Sequence, residues 1–144
     1  MDEKPFQLAP ELTRDCIHLG DFPLCRVLMM NDSQYPWFIL VPRRNNIKEA
    51  FELDKQDQDL LNKESLLFAQ WLSKTYQADK INVAALGNMV SQLHIHHVAR
   101  FKTDIAWPSP VWGFCAAKPF TRENAQLLAE KIVLLTTLPG FIAV

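Results

Sequence analysis

"GNMVSQLHIHHVAR", residues 87–100, holds three of the chain's four histidines, at His94, His96 and His97, while His18 lies far upstream. Along a β-strand alternate side chains share a face. Read as a strand, the stretch sets Gln92, His94 and His96 on one face and Leu93, Ile95 and His97 on the other. The first face is a row of three polar groups, two of them imidazoles, over an apolar floor. A lone buried histidine is ordinarily a hydrogen-bonded core residue. Two at i and i+2, extended by a glutamine, point to chemistry. His97 faces away and is expected to be structural.

The neighbouring segments say what kind of sheet holds this strand. "KINVAALG" before it reads as a strand ending at Gly87. Further upstream, Leu24 to Met30 form an apolar run ended by Asn31-Asp32, and Trp37 to Val41 form a second with two apolar faces. The short turn "SQYP" joins these two as an antiparallel hairpin. Between the strand pairs, residues 57–76 repeat apolar residues at helical spacing (Leu60, Leu61, Leu67, Phe68, Trp71, Leu72) behind an acidic first turn, a core-facing helix. "APELTRDC" suits a short N-terminal helix with Pro10 in its first turn. "TDIAWPSPVWG" must be irregular, since proline neither donates to a ladder nor continues a helix. A last helix starts at Thr121, an N-cap, and carries Ala125, Leu128, Ala129, Ile132 and Leu135 on one face before Pro139-Gly140. Strand pair, helix, strand pair, helix gives an antiparallel sheet with helices against it, an α+β fold.

Length and composition bound the function. The 144 residues are one domain's worth, read as a single unit over 1–144, with 49% hydrophobic and 22% charged residues. A net charge of −1 leaves no broad electrostatic footprint for duplex nucleic acid or anionic lipid. Any polyanion must be held by a local site, which favours a nucleotide. Cys16, Cys25 and Cys115 are scattered and odd in number, as free thiols in a reducing compartment would be. The acidic start "MDEKPFQLAP" lacks a signal peptide's apolar core, and "YPWFILVP" is too short to span a bilayer. The expected location is cytoplasmic, with no membrane partner.

Three chemistries compete for the histidine row. H-x-H on a strand is a common metal pair, but a catalytic zinc needs a third protein ligand. Ala99, Arg100 and Phe101 stand where a cupin-like carboxylate would be, and His18 and Asp104 lack motif spacing, so no metal site is assigned. No serine sits in a nucleophile elbow. Phosphate chemistry remains: a neutral imidazole is a nucleophile, and a second one beside it can act as general acid or hold anionic oxygens.

In these residues the chain resembles the histidine triad (HIT) nucleotide hydrolases and transferases, whose signature is His-φ-His-φ-His-φ-φ preceded by Gly-Gln-x-Val-x. Gly87, Asn88 and Val90 occupy the leading pattern, and Gln92, His94 and His96 the three triad positions. "FILVPRRN" resembles the family's strand end and sets Asn45 where a fourth histidine usually stands. "INVAALG" resembles the strand whose asparagine contacts nucleotide, which implicates Asn82. "AWPSPVWG" is similar to a segment of a bacterial HIT-like subgroup. The resemblance implies a five-stranded antiparallel HIT-like fold, commonly dimerised through a helix and an edge strand. It also implies cleavage at the α-phosphate of a nucleoside phosphate ester, a dinucleoside polyphosphate anhydride or a phosphoramidate, through a covalent nucleotidyl-histidine. His94 would be the nucleophile. His96 would bind phosphate oxygens or protonate the leaving group, with Gln92 completing the catalytic row. Asn82, Asn88, Asn45 and Ser91 would hold ribose or phosphates. No cofactor is required, although a divalent cation activates some members.

Two departures from the pattern set the alternative. Gln92 and Asn45 are neutral amides, able to hydrogen-bond but not to titrate near neutral pH. If the family's histidines tune the nucleophile at those positions, this chain is a slow or inactive frame that binds nucleotide or a partner. Trp107 and Trp112 are open to two roles, stacking on a base or covering the core or a subunit partner.

Overall fold

The computed structural model describes residues 4–144. Helix α1 (Pro10–Asp15) leads into strands β1 (Cys16–Asp21), β2 (Cys25–Met30) and β3 (Trp37–Pro42). The long α2 (Lys55–Tyr76) follows, then β4 (Lys80–Ala84), β5 (Ile95–Arg100), α3 (Arg122–Val133) and the two-residue β6 (Ile142–Ala143). All pairings are antiparallel, in the order β4-β5-β3-β2-β1-β6. The α+β expectation stands, with five long strands and β6 as a short sixth on the β1 edge. β1 and β6 were not anticipated: "CIHLGD" has no clean alternation, and β6 is too short to leave a pattern. No helix among the described residues is long and apolar enough to cross a membrane.

The β2–β3 hairpin forms as its apolar runs require, with Val27 opposite Leu40 and Met29 opposite Phe38. Every residue of β3 is buried because both faces of the sheet are covered. On one face Phe38, Leu40, Ile95 and Ala99 pack under Leu61, Phe68, Trp71 and Leu72 of α2. Each fully buried Leu or Phe there contributes about 1.5–3 kcal/mol. On the other, Trp37, Ile39, Val41 and Val98 pack with Leu12 of α1 and with Tyr35, Ala106 and Val111.

Local signals fix the helix ends. α2 starts two residues before the expected Asp57 because Asp54 caps it, accepting from the Asp57 amide at 2.8 Å. It ends where Gln77 turns left-handed at φ +53°. On its inner face the buried Glu64 carboxylate accepts from the amides of Leu24 and Cys25 at 3.0 and 2.8 Å, tying the helix to the start of β2. Thr121 caps α3 as expected, at 3.3 Å from the Asn124 amide. Of its anticipated face, Leu135 is fully buried and Leu128 and Ile132 are half-buried, whereas Ala125 and Ala129 are exposed.

Candidate functional site

β5 begins at Ile95, so His96 and His97 lie in the ladder while Gln92 and His94 sit in its lead-in. β3 runs beside it with Ile39 opposite His96 and Phe38 opposite His97. The two registers send His96 to the Trp37 side of the sheet and His97 to the α2 side. The rings of His94 and His96 meet edge to face, 5.0 Å between centroids. The residues are 7% and 5% exposed. Trp37 and Trp112 wall in the His96 ring at 5.8 and 5.3 Å.

Hydrogen-bond partners dictate each ring's tautomer. A carbonyl oxygen only accepts, so His94 Nδ1, 2.6 Å from the Gln92 carbonyl, carries the proton. Its Nε2 is therefore a bare lone pair when the ring is neutral, and it has no partner among the described residues. The buried polar side-chain atoms left unpartnered among the described residues are Arg26 Nε, Tyr35 Oη, Trp71 Nε1 and Trp112 Nε1. His96 is the mirror case. An indole N–H only donates, and Trp37 Nε1 lies 3.0 Å from His96 Nδ1, so the His96 proton is on Nε2. Burial, with the charges of His94 and His97 adding to it, pushes His96 down to about 3 and keeps it neutral. The pair thus holds one lone pair and one N–H on rings whose centroids are 5.0 Å apart.

His97 packs on Phe68 beneath α2, donates from Nδ1 to the Ile95 carbonyl at 3.1 Å and accepts from the Ser65 hydroxyl at 2.8 Å. Burial lowers it to about 4. It lies on the opposite face and is structural, as the alternation predicts.

The amides lie elsewhere than at a free phosphate site. Gln92 donates to the Gln7 carbonyl at 2.9 Å and accepts from the Ala9 amide at 2.8 Å. Asn45 accepts from the Gln7 amide at 3.0 Å and donates to the carbonyls of Lys4 and Pro5, both at 3.1 Å. Asn82 accepts from Arg100 at 2.9 Å. Asn88 and Ser91 are exposed in the β4–β5 connection, where Gly87 takes φ +71°. Arg44 pairs bidentately with Asp57, and Arg43 donates to the carbonyls of Phe22, Pro23 and Leu24. Neither arginine is free for phosphate as it stands. The two candidate third metal ligands are also committed, His18 to Asp21 at 3.0 Å and Asp104 to Arg100.

Sequence reasoning missed the framework behind His96. Arg100 is 2% exposed, holds Asp104 bidentately at 2.9 and 3.1 Å, and donates to the Ser109 carbonyl at 2.8 Å. Asp104 in turn accepts from the amides of Phe101, Ala106 and Trp107. Burial alone would push its carboxyl up, but these bonds hold it below the usual range. The clamp folds the Trp-Pro segment so that Trp112 meets both Trp37 and His96, while Trp107 lies under the Arg100 guanidinium. An Arg followed four residues later by Asp, just before a Trp-Pro run, is the signal that was available.

Beside Gln92 opens a cleft of about 1340 Å³, lined by Lys4 to Gln7 and by Arg43 to Lys48 among others. Ser91 and Gln92 line it; His94 and His96 do not.

Comparison with known proteins bears on this arrangement. The family model described as the HIT domain matches residues 11–103. Comparison with curated proteins gave no match. Among solved structures, a histidine triad (HIT) protein from Sinorhizobium meliloti 1021 is 47% identical, with a TM-score of 0.85 over 90% of this chain and 96% of that one. A histidine triad protein from Marinobacter aquaeolei VT8 is 45% identical, with a TM-score of 0.89 over 94% and 99% of the two chains. A third, from Bradyrhizobium japonicum, is 38% identical, with a TM-score of 0.87 over 91% and 98%. The match spans the histidine row and the strands that carry it: the chain belongs to the histidine triad family.

Proposed function

We propose that the protein is a nucleotide hydrolase that cleaves at the α-phosphate of a nucleoside phosphate ester, anhydride or phosphoramidate, with His94 as nucleophile. The observation that carries this is the 2.6 Å bond from His94 Nδ1 to the Gln92 carbonyl, which leaves Nε2 a bare lone pair when the ring is neutral. A neutral imidazole with its proton pinned on the far nitrogen is a ready nucleophile. Attack of Nε2 on the α-phosphorus forms an N–P bond as the bond to the leaving group breaks. An anhydride leaves as an anion; an amine takes its proton from solvent. The positive charge left on the His94 ring is stabilised by its Nδ1–H donating to Gln92. Water then attacks phosphorus, the N–P bond breaks, and a nucleoside monophosphate departs while the water's proton goes to solvent.

His96 is assigned the phosphate oxygens, not the leaving group. Its low pKa keeps it neutral, and a neutral Nε2–H is a hydrogen-bond donor but a poor acid. Asn88 and Ser91, exposed beside the row, are the remaining candidates for phosphate contact. No step requires a metal or cofactor. A homodimer through a helix and an edge strand of the sheet belongs to the same reading.

A second reading has its own support. Gln92 and Asn45 are spent on the chain's own backbone and His94 is nearly buried, as expected of a frame that binds nucleotide without turning it over. Incubation with adenosine 5′-phosphoramidate and with a dinucleoside polyphosphate separates the two. Monophosphate release that vanishes in His94→Ala supports the hydrolase. Binding without release in either protein supports the frame.

A further inference from the structure

Residues 4–9 form an arm that crosses the histidine face before α1. We propose that Gln92 and Asn45, the two amides at family histidine positions, are latches that hold this arm, and that the latched arm restricts by size what reaches His94. The inference rests on the hydrolase reading only for its consequence in turnover.

The bonding is specific to amides. Gln92 bonds the carbonyl of Gln7 and the amide of Ala9, the pair that a neighbouring parallel strand would engage on an extended segment. A carboxamide offers its donor and acceptor side by side and so imitates a peptide group. An imidazole's two nitrogens point apart and cannot make both bonds. Asn45 uses both amide hydrogens and its oxygen on Lys4, Pro5 and Gln7. The arm's apolar side is fastened as well: Phe6 lies under the Arg26 guanidinium at 5.4 Å, and Leu8 and Ala9 pack on the Trp37 side of the sheet.

The consequence is spatial. Gln92, two residues from the nucleophile, lines the large cleft together with Lys4 to Gln7 and Ala9 of the arm, and His94 does not. His94 keeps only 7% exposure. A nucleotide in the cleft meets His94 only if the arm gives way, so latch strength sets which leaving groups and nucleosides pass.

Ala9→Pro tests this without altering either amide. Ala9 has φ −55° and ψ 136°, which proline accepts; the N–H that Gln92 receives is removed and the ring Cδ takes its place, which also pushes the Gln92 oxygen away. Asn45→Ala releases the arm from the other latch and serves if Ala9→Pro misfolds. The probe is diethyl pyrocarbonate, with modification of each histidine followed by peptide fragmentation and His18, on β1, as internal reference. Losing one neutral hydrogen bond shifts the latch by roughly fivefold, so His94 modification and Gln7 amide exchange should both quicken by about that factor. Faster Gln7 exchange with unchanged His94 reactivity overturns the gate, and unchanged exchange in both variants overturns the latches. Neither readout needs turnover. A variant that opens to the probe yet releases no monophosphate refutes the hydrolase reading alone.

Discussion

Lowering the pH from 7.5 to 5.0 should cost this fold several kcal/mol, through two histidines on opposite faces of one strand. Burial holds His96 at about 3 and His97 at about 4, against 6.5 for an ordinary histidine. Both are depressed, so between pH 6.5 and about 4 the unfolded chain binds protons that the native chain refuses. Stability from these groups is complete above pH 6.5 and is lost as pH falls. At pH 5, each group costs about 2 kcal/mol, at about 1.36 kcal/mol per pH unit. Together they remove about 4 kcal/mol, a large share of the roughly 5–15 kcal/mol that stabilises a domain. Urea titrations at pH 7.5, 6.5, 5.5 and 5.0 measure the loss. His97→Leu should roughly halve the slope; the Ser65 hydroxyl it leaves behind is only half-buried and turns to water. A midpoint flat across this range, or a slope unchanged in His97→Leu, refutes the reasoning.

Two further perturbations follow. Asp104→Ala strands the buried Arg100 charge and should destabilise by about 3–5 kcal/mol in urea unfolding, with the Trp112 emission shifting as the segment loosens; a loss under about 1 kcal/mol contradicts the clamp. Trp37→Phe removes the donor that fixes His96 Nδ1. It should cost about 1–3 kcal/mol and give a mixed His96 tautomer in imidazole 15N spectra, where the wild type shows Nε2–H alone.

Much of this was legible because the strand period is two. Alternation alone placed Gln92, His94 and His96 apart from His97, and the apolar runs around "SQYP" placed the hairpin that brings Trp37 beside them. What was not legible depended on backbone partners far away in the chain. Gln92 and Asn45 look like depleted catalytic positions until the arm is seen on them, some 83 and 38 residues away in sequence. Asn82 resembles a nucleotide contact, but a residue's partner depends on tertiary geometry, and here Arg100 holds it. β1 was lost because His18 and Gly20 blur its pattern, and Gly20 is needed where Phe141 and Ile142 crowd that strand.

The most direct measurement is the identity of the covalent intermediate. Rapid quenching into base during turnover of adenosine 5′-phosphoramidate, followed by peptide mass spectrometry, should find one adenylyl group, on His94, absent from His94→Ala. Turnover with no adduct, or an adduct on another residue, would contradict the account.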